Sequence, residues 1–244
     1  EQLAEPLSPE DQTAQSMPDT SPTKWHRAHV TWFFETFVLE PHDPGFAPFD
    51  ESFRMLFNSY YEAVGPKYPR PQRGLVTRPG ASEVGVYRRH VDERMARLLS
   101  ELDGRPTETF DRVTSLVTLG LNHEQQHQEL LLMDIKHLLS HNPEGPVYRP
   151  QTIDDSATTD DARWIDFEGG LVEGGHDGAG FAFDNESPRH RHHLEPFRIS
   201  DRLVTVGEWR AFIADGGYRR AELWLSDGWH LIQAQDWERP IYWL

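Results

Sequence analysis

The chain contains no cysteine. Disulfides, thiolate zinc sites and iron–sulfur clusters are therefore excluded, and any metal must sit on His, Asp or Glu. No apolar run is long enough to cross a bilayer, and no charged-then-apolar leader opens the chain, so a cytoplasmic protein with no membrane partner is expected. Basic residues are scarce: 24 Lys and Arg stand against 40 Asp and Glu, for a formal net charge of −16. No stripe of Lys and Arg interrupts this acidity, and nucleic acid, whose phosphates must be neutralised for binding, is not an expected partner. The first residue is Glu rather than Met, which points to processing or to a longer polypeptide.

What the chain does have is histidine, 13 in 244 residues, gathered in small groups. A chain of this length makes one or two domains. From Ser21 to about His141 apolar residues recur three and four apart, which predicts helices over Pro22–Leu39, Asp50–Val64, Ser82–Leu102 and about Glu108–Leu139. Ser21 is a candidate N-cap for the first, Asp50 for the second, and Gly65-Pro66 a stop. Four amphipathic helices point to an up-and-down bundle, whose core is a known place for metal sites. Near Pro146 the character changes. Gln151 to Arg163 is polar and aperiodic, and reads as a linker. Beyond it, Leu194–Ile199 and Leu203–Thr205 read as short strands and Trp209–Ala214 as a short helix. Gly169-Gly170 and Gly174-Gly175 bracket an apolar segment as in a hairpin. This second region holds more tryptophan than so short a mixed domain can easily bury, and a companion chain or a further C-terminal segment is expected to complete it.

The fourth helix carries Asn122-His123-Glu124-Gln125-Gln126-His127-Gln128-Glu129. Two histidines four apart lie on one helix face and can reach one ion. Leu116, Gly120, Leu130 and Ile135 are expected to continue that face, so the pair should point into the bundle. His123-Glu124-x-x-His127 also matches the zinc-protease signature, with the Glu as general base. The extended form is absent, since Leu130 and Met133 stand where a glycine and a third histidine belong, and a downstream Glu ligand would have to be Glu144 in a loop. The first helix offers Trp25-His26-Arg27-Ala28-His29. His29 is preferred over His26 because it lies four residues after Trp25 and three before Trp32, on the packed side. Three neutral histidines leave several positions open, which suits iron(II), but spacing leaves iron and zinc both standing.

Ser21 to His29, followed by Trp32-Phe33-Phe34-Glu35, resembles the first metal-ligand helix of the DinB-like domain in ergothioneine-biosynthesis sulfoxide synthases, and His123 to Leu130 resembles the second and third ligands. Gly169 to Gly175, Asn185-Glu186-Ser187-Pro188-Arg189-His190, Pro196-Phe197 and Leu203 to Trp209 resemble the formylglycine-generating-enzyme-like domain that follows in those proteins. The resemblance implies an α+β fold: a DinB-like four-helix bundle with the metal site over 1–150, a linker over 151–163, and the N-terminal part of a formylglycine-generating-enzyme/C-type-lectin-like mixed domain over 164–244. It implies an iron(II)-dependent, O2-using oxidoreductase that joins hercynine, the trimethylated histidine betaine, to the thiol of cysteine or γ-glutamylcysteine and oxidises the sulfur. His29, His123 and His127 map onto the iron ligands and Gln126 onto a glutamine that contacts hercynine.

Tyr60-Tyr61 resemble a tyrosine pair near the iron in one branch of that family, where a phenol can supply a proton to the reaction. Neighbouring helix positions diverge by about 100°, so one of the two is expected to face the metal and the other to pack or face solvent. Arg70 and Arg73 flank Pro71 and could clamp a substrate carboxylate, or could belong to a solvated loop. His190-Arg191-His192-His193 precedes a strand and lacks an evident third ligand, so it is read as a surface strand rather than a second metal site. Two other readings remain open: a zinc metalloprotease, and a non-catalytic DinB-like module that binds metal or thiol.

Overall fold

A computed structural model describes residues 1–104, 106–150 and 160–243. The chain divides into two compact units, Glu1–Thr152 and Ile153–Leu244. Most of the expected linker lies outside the described residues. Among the described residues no helix is long and apolar enough to cross a membrane.

The first unit is built on helix α1, Thr23–Phe34, which continues through a π-helical turn, Glu35–Leu39, into a short turn at Glu40–His42. Helix α2 is one turn, Phe53–Leu56; α3 spans Ala81–Ser100 and α4 Thr107–Ser140. Every residue of α1 except Arg27 is buried, including Lys24, His26 and His29, each of which finds a hydrogen-bond partner inside the unit. It packs against both α3 and α4. Trp25, Trp32 and Phe33 meet Val84, Tyr87 and Val91 of α3 and Val113 of α4 in one core.

Helix α4 buries Val113, Gly120, Leu131 and Ile135. Leu131, not the expected Leu130, continues the inward seam; Leu130 is exposed. Leu131 and Ile135 also receive Leu7, because the N-terminal segment folds onto the bundle. The Gln12 amide donates to the Ala4 and Leu7 carbonyls, and the Tyr148 hydroxyl to the Leu3 carbonyl.

Two local expectations are corrected. Ser21 does not cap α1: Pro22 holds the cap position with no side-chain bond. The Ser21 N–H instead donates to Asp134, and its hydroxyl accepts from Arg73. The second helix, expected over Asp50–Val64, is reduced to α2 and a 3₁₀ turn at Glu62–Val64, so among the described residues of this unit the long helices are α1, α3 and α4. The physical reason is Asn58. Its buried amide donates to the Tyr61 and Gly65 carbonyls, and its oxygen accepts from the Tyr61 N–H, so a side chain takes over backbone bonds a helix would need.

In the second unit β1, Trp164–Phe167, pairs antiparallel with β4, Phe197–Ser200, and β2, Gly170–Gly174, pairs antiparallel with β3, His190–Leu194. The glycine pairs do bracket β2, but its partner is β3 rather than a local hairpin. Gly169, with φ +72°, is required there, since a Cβ would stand 2.3 Å from the Leu194 carbonyl oxygen. The strand expected over Leu194–Ile199 is interrupted at Glu195-Pro196, and Leu203–Thr205 forms no strand. Thr205 instead caps helix α5, Val206–Ala214, in a capping box with Glu208, which Arg202 also holds. Helix α6 spans Ser226–Gln235. The His190–His193 run lies on β3 and is exposed, the surface strand anticipated for it.

Candidate metal centre

His29 on α1 and His123 and His127 on α4 each offer a ring nitrogen, and these atoms all lie within 4.8 Å of one another. No other group of three His, Asp or Glu among the described residues is gathered in this way. The spacing on α4 puts two rings one turn apart on the inward face, with centroids 4.6 Å from each other, and the His29 ring completes the set at 5.0 and 4.7 Å from them. Gly120, one turn before His123, lets Phe33 and Phe34 press against α4.

Each ring has its own support. His29 lies between two indoles, stacked on Trp25 at 4.7 Å and on Trp32 at 5.5 Å. Its Nδ1–H donates to the Phe57 carbonyl at 2.6 Å, so Nε2 carries the lone pair. The bend after Phe57 is what frees that carbonyl. His123 packs on Phe33 at 5.0 Å, and its Nδ1 is buried without a hydrogen-bond partner. His127 Nδ1 is 2.9 Å from His26 Nδ1, while His26 Nε2 is 2.9 Å from Asp134 Oδ2. The Ser21 N–H donates to that same oxygen at 2.8 Å.

The electrostatics favour neutral rings. Burial, reinforced by the neighbouring histidines, holds His29 and His127 well below the ordinary imidazole range. Burial draws His123 down to about 4 against the opposing pull of Glu124. Three neutral imidazoles, each with one nitrogen lone pair, fit a divalent metal and leave coordination positions for other molecules.

The remaining sequence candidates separate. Tyr61 is half-buried against Trp32 at 5.7 Å and Phe37 at 4.8 Å, and burial pushes its phenol pKa up. Tyr60 is exposed and takes the Arg70 guanidinium on its hydroxyl and ring. Tyr61 thus packs among aromatic rings while Tyr60 faces outward, and both follow α2 in irregular backbone rather than ending a helix. Arg70 and Arg73 do not form one clamp. Arg73 is buried and lies 3.3 Å over the Trp25 ring, donating to the Ser21 and Ser59 hydroxyls. Burial and the Arg70 charge pull its pKa down to about 9, so it stays charged at neutral pH. Gln126 is exposed on α4, one residue before His127, rather than satisfied inside the bundle. Glu124, the general base of the protease reading, is held by both terminal nitrogens of Arg88 at 3.2 Å.

Asp134 and the role of His26 are absent from the sequence reading. A signal existed: Asp134 lies seven residues, two helical turns, beyond His127 on the same face. The Phe57 carbonyl had no signal, since it depends on the bend that Asn58 creates.

Comparison with known proteins follows the same division. Residues 1–131 match the DinB superfamily, and residues 151–241 match the sulfatase-modifying factor enzyme 1-like domain. A hercynine oxygenase from Mycolicibacterium thermoresistibile is 29% identical over 234 residues, covering 93% of this chain and 48% of that protein. One from Mycolicibacterium smegmatis is 29% identical over 235 residues, covering 93% of this chain and 50% of that protein. One from Mycobacterium tuberculosis is 40% identical over 62 residues, which is 25% of this chain and 15% of that protein. The chain spans about half the length of the first two relatives. With its helical unit carrying a three-histidine cluster and a sulfatase-modifying-factor-like region after it, the chain belongs to the DinB superfamily.

Proposed function

We propose that this chain forms the metal-binding part of an iron(II)- and O2-dependent sulfoxide synthase of ergothioneine biosynthesis. It joins the hercynine imidazole to the thiol of cysteine or γ-glutamylcysteine and oxidises the sulfur. The observation that carries this reading is the convergence of His29, His123 and His127 as neutral donors, in a chain similar along 93% of its length to hercynine oxygenases. Iron(II), when bound, supplies the means of using O2. Burial keeps the His29 and His127 rings neutral, so no imidazolium proton need leave them for a metal to bind. Trp25, Trp32 and Phe33 exclude water from the rear of the rings. Tyr61, whose phenol keeps its proton at neutral pH, is the hydrogen donor assigned to the reaction, and Tyr60 with Arg70 faces solvent. Gln126, exposed on α4 one residue before His127, is the residue assigned to contact hercynine. Glu124, tied to Arg88, is not the free carboxylate that a zinc protease requires.

The test is to incubate the iron-loaded protein with hercynine, either thiol and O2, and to look for the sulfoxide by mass spectrometry. The expected result is sulfoxide from one of the two thiols and none from His29→Ala, which should also lose iron. Metal bound with no product would refute the assignment and leave a non-catalytic module. Metal binding that survives His29→Ala would refute the ligand set.

A further inference from the structure

Asp134, His26 and His127 form a single line of hydrogen bonds that the proposed reaction does not use directly. His26 is 3% exposed and has both ring nitrogens committed, one to Asp134 and one to His127, each at 2.9 Å. A contact between two imidazole nitrogens at that distance needs one proton, and the identity of its owner decides what His127 can do. The Asp134 carboxylate, which accepts the Ser21 N–H at 2.8 Å, has no proton to give, so His26 donates to it through Nε2–H. A neutral His26 protonated at Nε2 has its lone pair on Nδ1. His127 must then carry the shared proton on Nδ1, which leaves Nε2 as a bare donor.

We propose that Asp134 and His26 are positioning residues that set the tautomer and orientation of His127, so that its Nε2 is held ready to bind the metal. The inference rests on the three-histidine metal reading and extends it. The arrangement is an extended form of the carboxylate–histidine–metal pattern, with one more imidazole between carboxylate and ligand. It also gives the two histidines of α1 different tasks: His29 is a ligand, and His26, three residues earlier on the same helix face, supports a ligand of α4 from behind. The two other ligands are set differently. His29 is oriented by the Phe57 carbonyl, and His123 has no partner on Nδ1. His127 is thus the ligand whose state depends on a charged group two turns away.

The experiment measures metal affinity and spectrum rather than turnover. Metal-free protein is titrated with Co(II), whose visible absorption reports ligand geometry, and with Fe(II) against a chelator, for the parent and four variants. His26→Leu is expected to weaken both metals by about 10- to 100-fold and to alter the Co(II) spectrum. His26→Asn, whose side-chain oxygen can take the place of Nδ1 and accept from His127, should recover part of that loss. Asp134→Asn keeps an oxygen acceptor but removes the charge, and should cost about tenfold. Adding Asp134→Asn to His26→Leu should cost nothing more, because Asp134 acts through His26. Melting of the metal-free forms controls for folding; if His26→Leu does not fold, Asp134→Asn and His26→Asn carry the test. Variants that bind within twofold of the parent with an unchanged Co(II) spectrum would overturn the inference, as would a fully additive double variant. A parent protein that takes up neither metal would overturn the underlying metal reading instead, so the two failures are distinguishable.

Discussion

Replacing Gly120 by alanine sets two known effects against each other at the seam between α1 and α4. A Cβ at Gly120 would lie 2.6 Å from Cε1 and Cζ of Phe34 and 3.0 Å from Cε1 of Phe33. Ordinary carbon contacts lie at about 3.5–4.0 Å, so roughly 1 Å of space must open. Neither ring can yield it freely, since Phe33 is 2% and Phe34 8% exposed. Helix propensity alone favours alanine over glycine by about 1 kcal/mol. Forcing an extra carbon into a well-packed core costs about 1–3 kcal/mol. The steric effect wins, and Gly120→Ala should lose on the order of 1 kcal/mol, lowering the melting temperature of a unit this size by about 2–4 °C. Differential scanning calorimetry of the metal-free protein measures that shift. Because Phe33 also packs on His123, the displacement should reach the ligand set, and Co(II) affinity should fall with stability. A variant that melts higher than the parent and binds Co(II) equally well would refute this account of the helix seam.

Three further perturbations probe the surroundings of the site. Glu35 is buried beneath the Tyr87 hydroxyl at 2.5 Å, and burial outweighs its hydrogen bonds and raises its pKa. Its folded-state pKa exceeds the unfolded one, so the stability linked to its proton is present below the unfolded value of about 4.3 and is lost as pH rises through the folded value. Glu35→Gln, which cannot ionise, should therefore gain on the parent in chemical-denaturation midpoint as pH rises from weakly acid to neutral, and a pH-independent difference would count against it. Arg73→Lys exchanges a flat cation over Trp25 for a point charge and cannot keep both serine bonds; a loss of about 1–3 kcal/mol in urea unfolding is expected, and none would mean that the stack is incidental. Glu124→Gln should leave metal content unchanged and sulfoxide formation within about threefold of the parent, whereas a general base would lose about 10²- to 10⁴-fold.

Much of this was legible because the helical unit is built on strong periodicity. The α1, α3 and α4 patterns each ran long enough for their apolar spacing to outweigh local detail, and observed ends such as Ala81–Ser100 fall close to the expected ones. His123 and His127 needed only the period of a helix to share one face, and the packed face of α1 brought His29 to them together with His26. The misreadings share a cause: a side chain or a distant strand competed with the local pattern. Asn58 diverted the backbone after α2, Pro196 divided what read as one strand, and Arg73 left the solvent to stack on Trp25. Only the Arg73 stack lies beyond a window of neighbouring residues; Asn58 and Pro196 stand inside the segments they divide.

The division of labour between His26 and His29 shows where spacing stops being informative. Both lie on the face of α1 that meets α4, and both rings lie close to His127, at 5.2 and 4.7 Å between centroids. Four histidines therefore converge, and helical period alone does not say which three bind a metal. The choice is made by groups outside the cluster. The Phe57 carbonyl takes the Nδ1 proton of His29 and turns Nε2 inward, whereas Asp134 draws the Nε2 proton of His26 away from the cluster and spends its other nitrogen on His127. On the proposed reading, a ligand and a supporting residue of the same type, three positions apart, are distinguished by which hydrogen-bond acceptor each ring meets. The acceptor that selects His29 exists only because the second helix ends early.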